Sequence, residues 1–125
     1  MISALEGSTP VVLSLALDAA VLRQQAIAQN IANANSPAYR KQSVSFEENM
    51  AAQRSALAHG GKLNLSAPAL ASYAPQLLQA PTVGGVALDE EVAKLSSTVL
   101  QHQVLLRALN KHFGLLSMAI SEGKR

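Results

Sequence analysis

Apolar positions fall into two long helical patterns separated by a stretch without a period. In the first, Leu13, Leu17, Ala20, Ile27, Ile31 and Ala34 recur at spacings that sum to sevens, with Gln24 the one polar residue on the line. Residues so spaced share one face of a helix. Thr9 suits the N-cap and Pro10 the first helical position, where no amide donor is needed, so the pattern predicts a helix starting there. It should end near Asn35, because Pro37 disfavours helical geometry at Ser36. The second pattern is stronger. Leu88, Val92, Leu95, Val99, His102, Leu106, Leu109, Phe113, Leu116 and Ile120 alternate spacings of four and three, and all but His102 are apolar. Asp89, Glu90 and Glu91 complement the positive end of its dipole, and Lys124 and Arg125 lie beyond the negative end. Gly114 costs about 1 kcal/mol relative to Ala inside a helix and reads as a mark of close helix approach.

Together the patterns predict a mostly α fold. Residues 1–36 and 88–125 form one domain as an antiparallel hairpin or coiled coil, and residues 37–87 form a turn and an irregular middle. Leu95, Val99, Leu106, Leu109 and Phe113 are the expected seam. A register with Leu13 near Ile120 places Ile31 near His102. Within the middle, Ser43–Phe46 alternates like a short strand and Phe46–Leu57 fits a short helix. From His59 to Gly85 the chain is rich in Gly, Pro, Ser and Ala and reads as irregular.

Each long helix carries a second apolar stripe along half its length: Leu15, Ala19, Leu22 and Ala26, then Leu105, Ala108, Leu115 and Ala119, broken by His112. In an antiparallel hairpin both stripes lie at the end where the termini meet. Two helices bury about one stripe each. Leu15, Leu22, Leu105 and Leu115 are therefore expected to pack into other subunits. The alternative is that the middle segment folds over that end as a third layer.

A length of 125 residues fits one domain. The 22 alanines favour helices that approach closely. There is no cysteine, which excludes disulfides, a thiol nucleophile and cysteine-ligated zinc. Net charge is only +2, and the ten basic residues are scattered from Arg23 to Arg125. With four aromatics (Tyr39, Phe46, Tyr73 and Phe113), neither a basic stripe nor a stacking surface for nucleic acid is expected. No Lys or Arg precedes Arg23, so no cleaved secretory leader is expected. Pro10–Leu17 is stopped by Asp18, and Leu63–Leu88 is interrupted by prolines and glycines, so no membrane-spanning helix is expected. His59, His102 and His112 do not cluster. Glu47-Glu48 and Asp89-Glu90-Glu91 read as charge at helix N-termini rather than acid–base pairs. Gly60-Gly61-Lys62 follows no strand and reads as a turn. No enzyme chemistry, catalytic residue, metal, cofactor or small-molecule substrate is expected.

Residues 30–41 read Asn-Ile-Ala-Asn-Ala-Asn-Ser-Pro-Ala-Tyr-Arg-Lys. Asn tolerates left-handed backbone and bonds locally, and Ser-Pro forces an extended exit, so this is a helix end and a turn. Its order resembles the N-terminal signature of flagellar rod, hook and axial proteins: a helix ending Asn-Ile-Ala-Asn, then Asn-x-Pro-Gly-Tyr-Lys. Arg23–Asn33 matches the upstream part. Ala38 departs from the Gly or Asn usual in the family. Size, and the stretches Leu88–Val92, Gln103–Phe113 and Ala119–Ser121, resemble the shortest members, the proximal rod proteins. Gly84-Gly85-Val86 stands where those commonly carry Asn-Asn-Val.

The resemblance implies a structural subunit of the bacterial flagellar basal body, exported unfolded by the flagellar type III apparatus and assembled into the helical rod that crosses the periplasm. Implied partners are copies of itself, other rod proteins (FlgC-like and FlgF-like), the rod adaptor FliE and the membrane ring. Implied assembly and turn residues are Asn30, Ile31, Asn33, Asn35, Pro37 and Tyr39. Alternatives are another short, FlgC-like rod protein, a soluble helical adaptor or export chaperone, and a membrane-surface protein. The last lacks the basic face it needs, because Arg23 is the only basic residue of the first helix.

Overall fold

A computed structural model describes residues 2–58 and 66–123. The elements are α1 (Ile2–Ala32), β1 (Gln42–Ser45), α2 (Glu47–Ala58), α3 (Ala67–Tyr73), β2 (Gln76–Gln79) and α4 (Leu88–Gly123). The chain is mostly helical, and α1 and α4 pack together along their lengths. Arg23 meets Gln101 and Asn30 meets Glu91, so the two run antiparallel. Partner numbers sum to 124 and 121, against 133 in the register expected from sequence. The helices are thus slid by about three turns, and α1 lies opposite nearly the whole of α4.

Two expected boundaries move. α1 begins at Ile2, with Pro10 inside it. A proline forfeits one intrahelical bond and strains the preceding turn, but does not end a helix whose earlier residues keep the geometry. The helix proper stops at Ala32, and hydrogen-bonded turns carry the chain to Ser36. The middle is also more regular than expected. Ser66 precedes α3 with Pro68 in its first turn, and β2 pairs antiparallel with β1, Gln42 opposite Gln79 and Ser45 opposite Gln76. The expected Gly60-Gly61-Lys62 turn and the charges Lys124 and Arg125 lie outside the described residues.

Within α1, Thr9–Ala32 is long and apolar enough to cross a membrane: 24 residues of mean hydropathy 1.4. This corrects the expectation that no such helix exists. Core helices and N-terminal signal sequences meet the same measure. Here Arg23 and Asn30 bind Glu47 and Glu91, so the protein's own fold uses this helix.

The roll of α4 differs from the expected seam. The positions turned inward are Glu91, Leu95, Thr98, His102, Leu105, Leu109, His112 and Leu116, of which Glu91, Thr98 and His112 are buried and the rest half-buried. Leu95 and Leu109 keep their expected place. Val99, Leu106 and Phe113 do not; they are 39%, 43% and 52% exposed. The heptad survives, but half of it is exchanged for the neighbouring line, a rotation of about half a residue's turn. Polar contacts set that roll. Glu91 is held inside by Asn30 and Lys41, while the buried Thr98 hydroxyl is satisfied within α4 itself by the Lys94 carbonyl at 2.7 Å. His112 is buried with Nε2 unpartnered and meets the Phe113 ring edge-on, centroids 5.9 Å apart.

On α1 the core draws on both stripes: Ala19, Ala20, Ala26 and Ile27 are fully buried, with Leu15 and Leu22 half-buried beside them. Leu105 joins the inward face of α4, while Leu115 is exposed. Gly114 is exposed and a Cβ there would touch nothing, so it marks no close approach within the subunit.

Candidate functional site

The chain's polar chemistry gathers where α1 ends. Asn30 follows Ile27 by three residues and Ala26 by four, so it lies on the buried face and its amide is taken out of water. A buried primary amide needs partners for two donors and an acceptor oxygen. Oδ1 accepts the Gln42 N–H at 2.8 Å and the Tyr39 hydroxyl at 2.7 Å. Nδ2 donates to the Gln42 carbonyl at 2.9 Å and to Glu91 Oε2 at 3.1 Å.

Strand parity explains why Gln42 is free to meet it. The Ala80 N–H donates to the Lys41 carbonyl at 2.8 Å, making Lys41 and Ala80 a bonded pair. Bonded and non-bonded pairs alternate in an antiparallel ladder, so the main-chain groups of Gln42 point away from β2. Asn30 takes both, standing where a third strand would. Aspartate has no donor for this and leucine has neither group.

Glu91 closes the junction from α4. Its side chain is 1% exposed. Oε1 accepts from Lys41 Nζ at 2.8 Å and Lys94 Nζ at 3.3 Å. Burial pushes the carboxyl up, but its bonds from Lys41, Asn30 and Lys94 outweigh that and hold it below the usual carboxylate range. The hydrogen bond to Glu91 holds the Lys41 ammonium above its ordinary value. Burial, and then the Glu91 charge, push the Tyr39 phenol up. All three move away from neutrality, the reverse of what proton transfer near pH 7 requires. The cluster ties α1, the turn and α4 into one structural joint.

The rest of the motif builds the turn. The Asn33 side chain donates to the Gln29 carbonyl at 2.9 Å, the same oxygen that takes the Asn33 N–H. The Tyr39 N–H returns to the Ser36 carbonyl with Pro37 second in the four-residue turn, where its fixed φ suits. Ile31 is half-buried and Asn35 exposed. Sequence reasoning singled out Asn30 and Tyr39 but missed Gln42, Lys41 and Glu91, and took Glu91 for dipole charge. The missed signal was Asn30 itself, a polar residue in line with Ile27 and Ala26 that needs partners from elsewhere in the chain.

Beside the joint, α1, β1 and α4 frame an open cleft of about 640 Å³ lined by Arg23, Lys41, Val44, Glu47, Lys94 and Gln101 among others. Arg23 spans it, donating to Glu47 Oε1 at 2.6 Å and Gln101 Oε1 at 3.3 Å.

The other distinctive surface is the outside of α4. Leu88, Val92, Val99, Leu100, Val104, Leu106, Phe113, Leu115, Met118 and Ile120 are exposed. They include the displaced half of the expected seam and positions on either side of it. Compared with known proteins, the chain matches no family model and no curated relative.

Proposed function

We propose that this protein is a structural subunit whose α4 is covered by neighbouring subunits in a helical assembly. The observation that carries the reading is a 36-residue helix packed on one side, with ten large apolar side chains on its open surface. Ten large apolar side chains exposed on one helix go beyond singly scattered surface residues, and such surfaces mark protein contact. Leu115, expected to meet another subunit, lies on that surface, whereas Leu15, Leu22 and Leu105 contribute partly to the subunit's own packing.

The assembly best matched to residues 23–41 is the flagellar basal-body rod, at the proximal, FlgB-like position. The resemblance supports this. So does the use of two motif residues, Asn30 and Tyr39, in the joint that fixes how α4 lies on α1. In this reading the chain is exported by the flagellar type III apparatus and packs in the periplasm against copies of itself, other rod proteins, the rod adaptor and the membrane ring. Head-to-tail contacts that do not close on themselves give such a helical polymer.

Mass spectrometry of purified basal bodies from the source cell tests it. The chain should be present at a stoichiometry like that of other rod subunits. Its absence from intact basal bodies would reject the rod reading. A small closed oligomer in solution that binds an export substrate would then favour the helical adaptor or chaperone, whose bundle the same apolar surface also fits.

A further inference from the structure

The two edges of the small sheet are unlike. The outer edge of β1 is turned to α1, and at Gln42 the Asn30 amide occupies it. The outer edge of β2 faces solvent: all four residues are exposed, and Leu77 and Leu78 are each 44% exposed. With Lys41 and Ala80 a bonded pair, the alternation makes Ser43–Leu78 and Ser45–Gln76 bonded as well. The N–H and C=O groups of Leu77 and Gln79 therefore point outward. Natural edges are blunted by charge, bulges or proline within the strand. Gln76-Leu77-Leu78-Gln79 has none of these, and only Pro75 and Pro81 bracket it.

We propose that β2 pairs antiparallel with β2 of a second copy of this chain across a two-fold axis at Leu78. The register follows from the residues. Centring the axis on Leu77 sets Gln79 against Pro75 of the other copy, and centring it on Gln79 sets Leu77 against Pro81. Proline has no N–H to give in either case. Centring on Leu78 sets Leu77 against Gln79 and Gln79 against Leu77, two complete bonded pairs with two hydrogen bonds each. About that axis Leu77 of each copy meets Gln79 of the other and Gln76 meets Ala80, so the same contacts are made twice. The two Leu78 side chains then meet as a non-bonded pair on one face. The product is a four-stranded sheet whose outer strands are both β1. Each is turned to its own α1 and occupied by its own Asn30, so pairing stops at two copies. This dimer is isologous and leaves the outside of α4 open. It stands independently of the proposed rod assembly.

Because the chain has no cysteine, single substitutions report the contact without ambiguity. Cα atoms of a non-bonded antiparallel pair lie about 4.5 Å apart, within disulfide reach. Full-length Leu78→Cys should form a disulfide-linked dimer under mild oxidation about ten-fold faster than Leu77→Cys, whose side chain faces Gln79 of the other copy. Adding Leu77→Pro to Leu78→Cys should abolish the crosslink. It removes an outward N–H and leaves the β1–β2 bonds in place, which circular dichroism and a urea midpoint check. Leu78→Lys, which sets two ammonium groups opposite each other, should lower the dimer fraction in sedimentation equilibrium. Equal crosslinking of Leu78→Cys and Leu77→Cys would overturn the proposal. So would the absence of any crosslink at high concentration, or a crosslink that survives Leu77→Pro and is lost with Phe113→Asp, which would assign association to α4.

Discussion

The two ends of the helix pair are built on opposite principles. At the turn end, Asn30 and Glu91 are buried side chains whose polar atoms are bonded to one another, to Lys41 and to the Gln42 backbone. At the end holding the termini, Phe113, Leu115, Met118 and Ile120 lie open to solvent. A buried ion pair adds little net stability over apolar packing, yet it is expensive to break, so it specifies an arrangement. Apolar side chains left outside specify nothing within the subunit and offer association without. The polar end sets how α4 lies on α1, and that roll delivers the apolar line Val92, Val99, Leu106 and Phe113 to the outside.

Breaking the polar end should have the largest effect. Glu91→Ala leaves Lys41 and Asn30 facing a void, and the expected loss is about 3–5 kcal/mol in urea unfolding. The same carboxylate sets an acid limit. Its pKa is lower folded than unfolded, so its stabilisation is complete above the ordinary carboxylate value and drains away as pH falls through the folded one. Unfolding midpoints measured from pH 6 down to about pH 2 should decline, and Glu91→Gln should flatten that decline.

A pair of substitutions on α4 probes the contrast between its faces. Leu109→Asp, on the half-buried inner face, should cost about 2–3 kcal/mol. Phe113→Asp, four residues on, should cost about 1 kcal/mol in the isolated subunit, the worth of its edge contact with His112. Comparable losses would mean that α4 is rolled as the apolar count alone implies. Tyr39→Phe removes one of two donors to Asn30 Oδ1 and should cost about 1 kcal/mol by the same measurement. The smallest change is a gain. Gly114→Ala adds a methyl into open space in mid-helix and should stabilise the subunit by about 0.5–1 kcal/mol.

The two long helices and the turn between Asn33 and Tyr39 were legible because each follows from local spacing: heptads, a proline and helix-ending asparagines. The roll of α4 was not, because counting apolar residues rewards the richest stripe. The actual choice rests on a hydrogen bond between residues 61 apart in sequence. β2 was illegible for a related reason. Gln76-Leu77-Leu78-Gln79 has no strand pattern of its own and takes its form from β1, with Gln42 opposite Gln79. Asn30 and Tyr39 of the joint could be named from their order in the motif, while Glu91, Lys41 and Gln42 could not, since each reads as ordinary surface until the fold places it.

The 61-residue span from Asn30 to Glu91 has a consequence in time. A ribosome that has released the first 80 residues has made all of α1 and both strands but none of the helix that covers them. The Asn30 amide then has no carboxylate to meet, and α1 has no long partner. Non-local contacts of this kind are slow to form because the intervening chain must first be closed into a loop. The protein therefore completes its fold only when its last third arrives, and the joint at the end of α1 is the part that waits for it.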